Sequence, residues 1–230
     1  SNEALDEDRF TFINRFIHLT EHATDVAQEM KTMKAALDDP TLTIPWSELL
    51  TAARWHDVGK AHEVFQKMLT NPLLPNNPQK FGGPWAKSDH KKGRPDRKHF
   101  RHELASALAL LLHKESDLAA YLAASHHGKV RLSIRSLPDE EVPLDGQRFA
   151  RGVWEGDELP GVDLGDGITT QMLSLTLSFM EMGEGPHGPS WLERTLRLRD
   201  DYGPFRLAWM ETLVRVADWR GTAKEGEANA

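Results

Sequence analysis

Residues 53–65 read ARWHDVGKAHEVF. An apolar, helix-forming run leads into an adjacent histidine and aspartate, His56 and Asp57, and Lys60 follows three positions after the aspartate. Polar groups among core-facing residues are costly unless they are paired or bound to metal. An imidazole and a carboxylate side by side therefore indicate a metal site whose remaining ligands come from elsewhere in the chain.

Composition limits which kinds of protein and site are possible. The 230 residues, 39% hydrophobic and 27% charged, fit one globular domain. No run approaches the roughly 20 apolar residues of a membrane span, and no signal peptide is recognisable, so no membrane partner is expected. The absence of cysteine excludes disulfides and thiolate sites and suits a cytoplasmic protein. Any metal must therefore be held by His, Asp or Glu.

Charge is distributed unevenly along the chain. The net charge of −7 argues against a generally basic nucleic-acid binder. Residues 80–101 nevertheless hold eight Lys and Arg residues against two Asp. They belong to a basic loop, about 71–101, that is also rich in Pro, Gly and Asn. This loop either meets phosphates or is simply solvated, and the sequence favours neither interpretation.

Hydrophobic periodicity predicts a mainly helical protein. Apolar residues at three- and four-residue steps predict a first helix over 10–37, with a stripe formed by Phe12, Phe16, Leu19, Ala23, Val26 and Met30. Further helices are predicted over 46–58, 61–70, 102–115, 117–127, 169–182, 189–201 and 203–223.

The remaining segments complete the predicted architecture. Residues 129–167 carry several Pro and Gly residues and read as an irregular insertion with short mixed segments and room for a small hairpin. The small, polar residues 223–230 read as a flexible tail or linker. The predicted fold class is all-α, a helical bundle with long irregular loops, in a single domain over 1–222.

Polar residues interrupt the predicted helix ends and inward faces at seven positions: His22, His56, Asp57, His102, His126, His127 and Asp218. Each alone has an ordinary explanation; the His126–His127 pair, for example, suits the negative end of a helix dipole. In chain order the seven spell His, His-Asp, His, His-His, Asp. That order resembles the HD superfamily of metal-dependent phosphohydrolases. With HDVGK (56–60), RHE (101–103), HHG (126–128) and RVADW (215–219), the chain more closely resembles the HD nuclease domain of the CRISPR-associated Cas3 family, over about 12–128 and 204–220.

This resemblance implies an HD-superfamily helical bundle and a set of site roles. His22, His56, Asp57 and Asp218 would hold one ion; His102, His126 and His127 would hold a second, with Asp57 bridging. The expected cofactors are two divalent transition metal ions, with Mn, Ni, Co or Fe favoured over Zn and with Mg possible. Lys60 and Asp57 would be catalytic, the ammonium neutralising a phosphate oxygen, although Lys60 also fits as a lysine at a helix C-terminus. Glu103 is a candidate for orienting one of the imidazoles.

The implied activity is metal-dependent hydrolysis of phosphodiester bonds in single-stranded DNA during CRISPR interference. The expected partners are single-stranded DNA, a Cas3 helicase domain or subunit and, through it, the CRISPR surveillance complex. These 230 residues contain no G-x-x-x-x-G-K-[ST] phosphate loop, so ATP-driven activity would belong to another domain or subunit. Two alternatives stay open: an HD phosphohydrolase of nucleotides or cyclic nucleotides, and a non-catalytic HD docking module.

Overall fold

Helices dominate the computed structural model, which describes residues 13, 15–37, 39, 41–89, 93 and 95–227. The α-helices of this part of the chain are α1 (Leu19–Leu37), α2 (Trp46–Trp55), α3 (Glu63–Thr70), α4 (His102–Leu112), α5 (Asp117–Ser125), α6 (Trp191–Tyr202) and α7 (Pro204–Glu227). Short 3-10 helices cover Val58–Ala61, Pro78–Lys80 and Ser178–Met180. The architecture is therefore mainly helical, as the periodicity predicted.

The centre of the structure is the pair α4 and α5. The residues of α4 from 102 to 111 and those of α5 from 118 to 125 are all buried. A helix that is apolar on nearly every side belongs in an interior, and the many alanines let neighbouring helices approach closely. Around this pair, α1 packs against α2 and α7, and α2 packs against α5.

A glycine contact attaches the His-Asp turn to the central pair. Helix α2 ends at Trp55, and His56 and Asp57 form the turn before the 3-10 helix that contains Gly59. The Gly59 N–H donates to Ser106 Oγ of α4 at 2.8 Å, and a Cβ at Gly59 would lie only 2.0 Å from the His102 carbonyl oxygen. Only glycine permits so close an approach between the turn and the start of α4.

Short strands form four antiparallel pairs among the described residues, whereas the all-α prediction allowed only a small hairpin within 129–167. These are β1 (Ile17–His18) with β2 (Trp85–Lys87), β3 (Phe149–Ala150) with β4 (Val153–Trp154), β5 (Glu158–Leu159) with β6 (Leu173–Ser174), and β7 (Glu184–Gly185) with β8 (Gly188–Pro189). The pairs lie outside the helical centre, but β1 and β6 lie in segments that the sequence predicted to be helical, 10–37 and 169–182.

The first strand pair shortens the predicted first helix. Helix α1 begins only at Leu19, because β1 pairs with β2 in the register Ile17↔Lys87. Phe16, predicted to lie on the helix stripe, instead packs edge-on against the Trp85 ring, with the ring centroids 5.1 Å apart. Phe12 lies outside the described residues. The pairing also holds β2 against the N-terminal end of α1.

The prediction of a helix over 169–182 is wrong. This segment contains β6 and the 3-10 helix at Ser178–Met180. The reason is visible in its sequence, because Leu173, Leu175, Leu177 and Phe179 recur at every second position, the period of a strand rather than of a helix. Leu175, Leu177 and Phe179 are buried in the same apolar cluster as the bundle helices, so the insertion packs onto the main core.

The basic loop is only partly solvated. Lys87 is fully buried on β2. Arg97 donates to Asp157 at 2.5 Å and lies over the Trp154 ring at 3.8 Å, which attaches the loop to the insertion. Lys98 is exposed. Three further cations counted in the loop, Lys91, Lys92 and Arg94, lie outside the described residues.

The last helix extends beyond the predicted boundary. Residues 223–227, assigned from sequence to a flexible tail or linker, belong to α7, and Glu225 within them is fully buried. Residues 228–230 lie outside the described part. Although α7 is the longest of the described helices, neither it nor any other combines the length and the apolar character needed to cross a bilayer.

The contact at Gly59 leads to a stability prediction. Gly59→Ala should lower the free energy of unfolding by about 2–3 kcal/mol, because the new methyl group overlaps the His102 carbonyl and neither backbone can move freely. A thermal melt should show a midpoint about 4–12 °C lower. Gly226→Ala, at an exposed α7 position with open space around it, is the matched control and should melt at the wild-type temperature or slightly above it. Equal melting of Gly59→Ala and wild type would contradict the proposed close contact.

Candidate metal centre

Asp57 is the carboxylate at which the predicted site residues meet. It follows the end of α2 and is almost fully buried. Its two oxygens face in different directions, and each faces a separate set of imidazoles. We call the residues around Oδ2 the inner group and those around Oδ1 the outer group. The inner group consists of His22, His56, Asp57 and Asp218; the outer group consists of Asp57, His102, His126 and His127.

The inner group joins three elements that are distant in sequence. His22, on α1, places Nε2 3.1 Å from Asp57 Oδ2, and His56 places its Nε2 3.5 Å from the same oxygen. Asp218, on α7, completes the group, since its Oδ1 lies 3.3 Å from His22 Nε2 and 3.7 Å from His56 Nε2. All four side chains are buried. The inner group is therefore a set of two carboxylates and two imidazoles closed off from solvent.

The outer group lies on the other side of Asp57. His102, the first residue of α4, places Nε2 3.1 Å from Asp57 Oδ1, and His126, just after α5, places Nε2 3.9 Å from it. The outer group has four possible ligand atoms, one each from Asp57, His102, His126 and His127. These four atoms lie within 4.8 Å of one another. Because His127 is only half-buried, the outer group lies nearer to solvent than the inner group.

The orientation of three imidazoles is set by hydrogen bonds at Nδ1. His56 directly follows α2, and its Nδ1 lies 2.8 Å from the Ala53 carbonyl oxygen. His126 directly follows α5, and its Nδ1 lies 2.6 Å from the Ala123 carbonyl oxygen. The last carbonyls of a helix have no helical N–H partner, so a ring N–H can satisfy them. In His22, Nδ1 lies 2.7 Å from Oε1 of Glu225. These acceptors hold a proton on Nδ1 and direct Nε2 into the centre, the orientation of histidine ligands in metal sites.

Buried polar atoms at the centre test whether these residues suit a metal ion. Within the described part of the chain, Nε2 of His56, Nε2 of His126 and Oδ1 of Asp57 are buried and make no hydrogen bond. A buried polar atom left unsatisfied costs about 1–3 kcal/mol. Imidazole and carboxylate donors together suit Mn, Fe, Co, Ni and Zn ions. The residues present therefore fit divalent metal ions.

Electrostatics keep both aspartates ionised. Burial alone would raise the pKa of Asp57, but the His56 imidazole and the Lys60 ammonium outweigh it and hold the pKa well below its usual range. Burial likewise opposes ionisation of Asp218, and Lys87 is the first of the groups that outweigh it and lower its pKa. Ionised carboxylates are the form that binds a cation.

The imidazoles differ in their protonation. Burial and the nearby Lys87 ammonium lower the pKa of His22, but Glu225, Asp218 and Asp57 outweigh them and raise it to about 10. The pKa of His126 is lowered to about 4, mainly by burial and further by the nearby His56. His126 is therefore neutral at pH 7, whereas His22 is positively charged there.

Two lysines lie inside the centre, and only one was predicted. Lys60 is fully buried and its Nζ lies 2.6 Å from Asp57 Oδ2, so its position agrees with an inward-facing residue rather than with a surface lysine at a helix end. Lys87 is also fully buried, with Nζ 3.9 Å from Asp218 Oδ1 and no hydrogen bond within the described residues. It was counted with the basic loop, and nothing in its local sequence separates it from the exposed cations there.

Two acidic residues also belong to the surroundings of the site. Glu225 was missed because the composition around it resembles a tail, yet it lies seven residues after Asp218, a spacing that places both on one helix face. Glu103, predicted to orient an imidazole, is fully buried with an oxygen 3.7 Å from His102 Nδ1, which is too long for a hydrogen bond. Burial raises the pKa of Glu103, and Arg101 partly offsets that effect.

All seven residues predicted as metal ligands lie in the described part of the chain and converge on this centre.

Among curated proteins, the chain is similar to the CRISPR-associated endonuclease Cas3-HD of Pyrococcus furiosus, with 29% identity over 196 residues, 76% of this chain and 70% of that protein. No protein-family model matches the chain, and no solved structure matches it. The distant similarity supports an HD-type, Cas3-like protein with a nuclease-like, hydrolytic function.

Proposed function

We propose that this chain is a metal-dependent HD nuclease that cleaves phosphodiester bonds of single-stranded DNA in CRISPR interference. One observation carries the proposal: the two oxygens of a single buried carboxylate, Asp57, face two separate groups of inward-directed imidazoles. A carboxylate shared between two ligand groups can hold two ions close together, as a two-metal phosphodiesterase needs. The similarity to the Pyrococcus endonuclease supports the same reaction class.

The proposed ligands follow from the two groups. His22, His56, Asp57 and Asp218 would hold the inner ion, and His102, His126 and His127 would hold the outer ion together with Asp57. The ions are proposed to be Mn, Ni, Co or Fe in preference to Zn, with Mg as a possible substitute. Bound divalent ions would activate water for attack and offset the charge that develops on the phosphate.

The chain itself contributes a positive charge, that of Lys60, and buries it away from solvent. The Lys60 ammonium is held by Asp57 at 2.6 Å and lies 5.5 Å from the centre of the Phe65 ring. In such a buried site an ammonium acts more strongly on a phosphate oxygen than it would in water. We therefore assign Lys60 to charge neutralisation on the scissile phosphate and Asp57 to holding both ions.

The location of the outer group supports a flexible substrate. His127 is half-buried and the adjacent Gly128 is exposed, so the centre meets solvent on this side. Because the inner residues are buried, a flexible single strand should reach them more easily than a rigid duplex. Lys98, exposed in the basic loop, and Lys129, half-buried just after Gly128, are cations that could meet neighbouring phosphates.

The proposed setting includes partners that this chain does not contain. We propose that a Cas3 helicase domain or subunit feeds single-stranded DNA to the centre and connects the nuclease to the surveillance complex in the cytoplasm. The proposed nuclease domain extends through residue 227 rather than ending at 222, because α7 is continuous to Glu227. ATP dependence would then be a property of the partner.

Metal binding should stabilise the fold. Because the ligands converge only in the folded protein, Mn²⁺ or Ni²⁺ at about 100 times its Kd should raise the free energy of unfolding by about 2.7 kcal/mol for each occupied site. Thermal unfolding with and without the ion measures this effect. Asp57→Asn should lose most of it, whereas Asp200→Asn, on the exposed side of α6, should keep it. Wild-type protein that gains no stability with any of Mn, Ni, Co, Fe, Mg or Zn would contradict the proposed ligand set.

A substrate panel tests the proposed reaction. Labelled single-stranded DNA, duplex DNA, single-stranded RNA, deoxynucleoside triphosphates and cyclic dinucleotides should be incubated with the protein and each of Mn, Ni, Co, Mg and Zn. We expect cleavage of single-stranded DNA, reduced more than about 100-fold by Asp57→Asn and unchanged by Asp200→Asn. Turnover of the small molecules alone would favour the nucleotide phosphohydrolase. Nucleic-acid binding without metal or hydrolysis, unaffected by Asp57→Asn, would favour the docking module.

Substitution of Lys60 should reduce catalysis without reducing metal binding. Lys60→Met keeps a side chain of similar length but removes the ammonium, so kcat on single-stranded DNA should fall about 100-fold. Metal affinity should stay equal or increase, because a positive charge beside Asp57 opposes a dication. Lys67→Met, on the exposed side of α3, is the control. A parallel loss of metal affinity and kcat in Lys60→Met would instead indicate a structural role.

A further inference from the structure

We propose that Glu225 is a positioning residue of the inner metal site: by accepting the Nδ1 proton of His22 it holds that ring with Nε2 directed at the ion, so the site extends to the last turns of α7. This inference rests on the proposed function. Glu225 Oε1 lies 2.7 Å from His22 Nδ1, and both side chains are completely buried. The two residues are 203 positions apart, so the contact exists only when α1 and α7 are packed together.

The position of His22 in its helix explains why it needs a partner from elsewhere. His56 and His126 follow helix ends, where the carbonyl oxygen three residues earlier is available to each Nδ1. His22 lies within α1, which continues to Leu37. Carbonyl groups inside a helix are already bonded to helical N–H groups. The ring must therefore find its acceptor on another element, and Glu225 is that acceptor.

The geometry of α7 places the ligand and the partner together. Asp218 and Glu225 are seven residues apart, close to two helical turns, and so lie on the same face of α7. Gly221 lies between them in sequence, and a Cβ there would come within 3.0 Å of Val26 Cγ2 and 3.3 Å of the Val26 backbone nitrogen. The glycine lets the two helix backbones approach at this level, and Asp218 and Glu225 can reach opposite ring nitrogens of His22.

Further contacts hold this end of α7 in place without serving the metal site. Glu29 of α1 accepts from Arg220 at 2.6 Å and also pairs with Lys224. The Arg15 Nε donates to the backbone oxygen of Glu225 at 3.1 Å. Glu225 itself is different, because its carboxylate is buried and its Oε2 makes no hydrogen bond within the described residues. A buried ionic contact is weak evidence of net stabilisation, and the one that Glu225 makes is directed at a proposed ligand, His22.

The consequence for metal binding is specific. A carboxylate that accepts the Nδ1 proton selects the tautomer with a free Nε2 lone pair and makes that nitrogen a stronger donor. Loss of such a partner typically reduces metal affinity 10- to 100-fold. A residue that served only to pack α7 against α1 would change stability and leave the affinity and geometry of the bound ion unchanged.

Titration of the full chain with Co²⁺ tests the inference, with affinity measured by calorimetry and ligand geometry by the visible absorption of the ion. Glu225→Gln should fold, since the amide has the same shape and can still accept the ring N–H. We expect it to bind the inner ion about 10-fold more weakly with an altered spectrum, and Glu225→Ala to lose up to about 100-fold. Glu63→Gln, an exposed carboxylate on α3, is the matched control and should bind as wild type.

A double-mutant cycle decides whether the effect acts through His22. In the His22→Gln background, Glu225→Gln should cause no further loss of affinity, because the ring that it positions is gone. Full additivity of the two changes, or wild-type affinity and spectrum in Glu225→Gln, would overturn the inference while leaving the proposed function intact. Wild-type protein that binds no ion and cleaves no DNA would overturn the proposed function itself.

Discussion

The structure is organised around one buried carboxylate that needs compensation from several directions. Asp57 is nearly inaccessible to solvent and stays ionised. An ionised group in such a place is costly unless cations or hydrogen-bond donors surround it. The compensating groups come from α1, from the start of α4, from the neighbouring His56 and from the 3-10 helix that follows Asp57 itself. Asp57 therefore requires these elements to keep their observed relative positions.

The same constraint explains why cationic groups are built into the protein around the inner site. Lys60 lies beside Asp57, Lys87 beside Asp218, and His22 carries a raised pKa between the carboxylates. These groups compensate the aspartates in the folded chain, but they also oppose the entry of a dication. In the proposed nuclease, the charges that neutralise a phosphate would therefore also reduce metal affinity in the inner group, whereas the outer group, nearer to solvent, has no comparable pair of buried lysines among the described residues.

Sequence reasoning was most successful where chemistry and local pattern coincide. The ordered His and Asp set marked seven residues that converge in space, and amphipathic periods predicted most helices of the bundle. It failed where the decisive information is non-local. Whether Lys87 belongs to a solvated loop or to the centre depends on the pairing of β1 with β2. Glu225 looked like part of a tail because its partner is 203 residues away. The period-two alternation of Leu173, Leu175 and Leu177 was local, and reading it as helical was an error of interpretation.

The local structure of each histidine accounts for how the centre is supported. A histidine just after a helix end can donate to a carbonyl that would otherwise lack a partner, so the backbone orients the ring without help from distant residues. His56 and His126 use this arrangement. A histidine within a helix has no such acceptor, so its orientation depends on another element. In this chain that dependence extends the proposed inner site, through Glu225, to the end of α7, which contacts of Arg220, Lys224 and Arg15 hold in place.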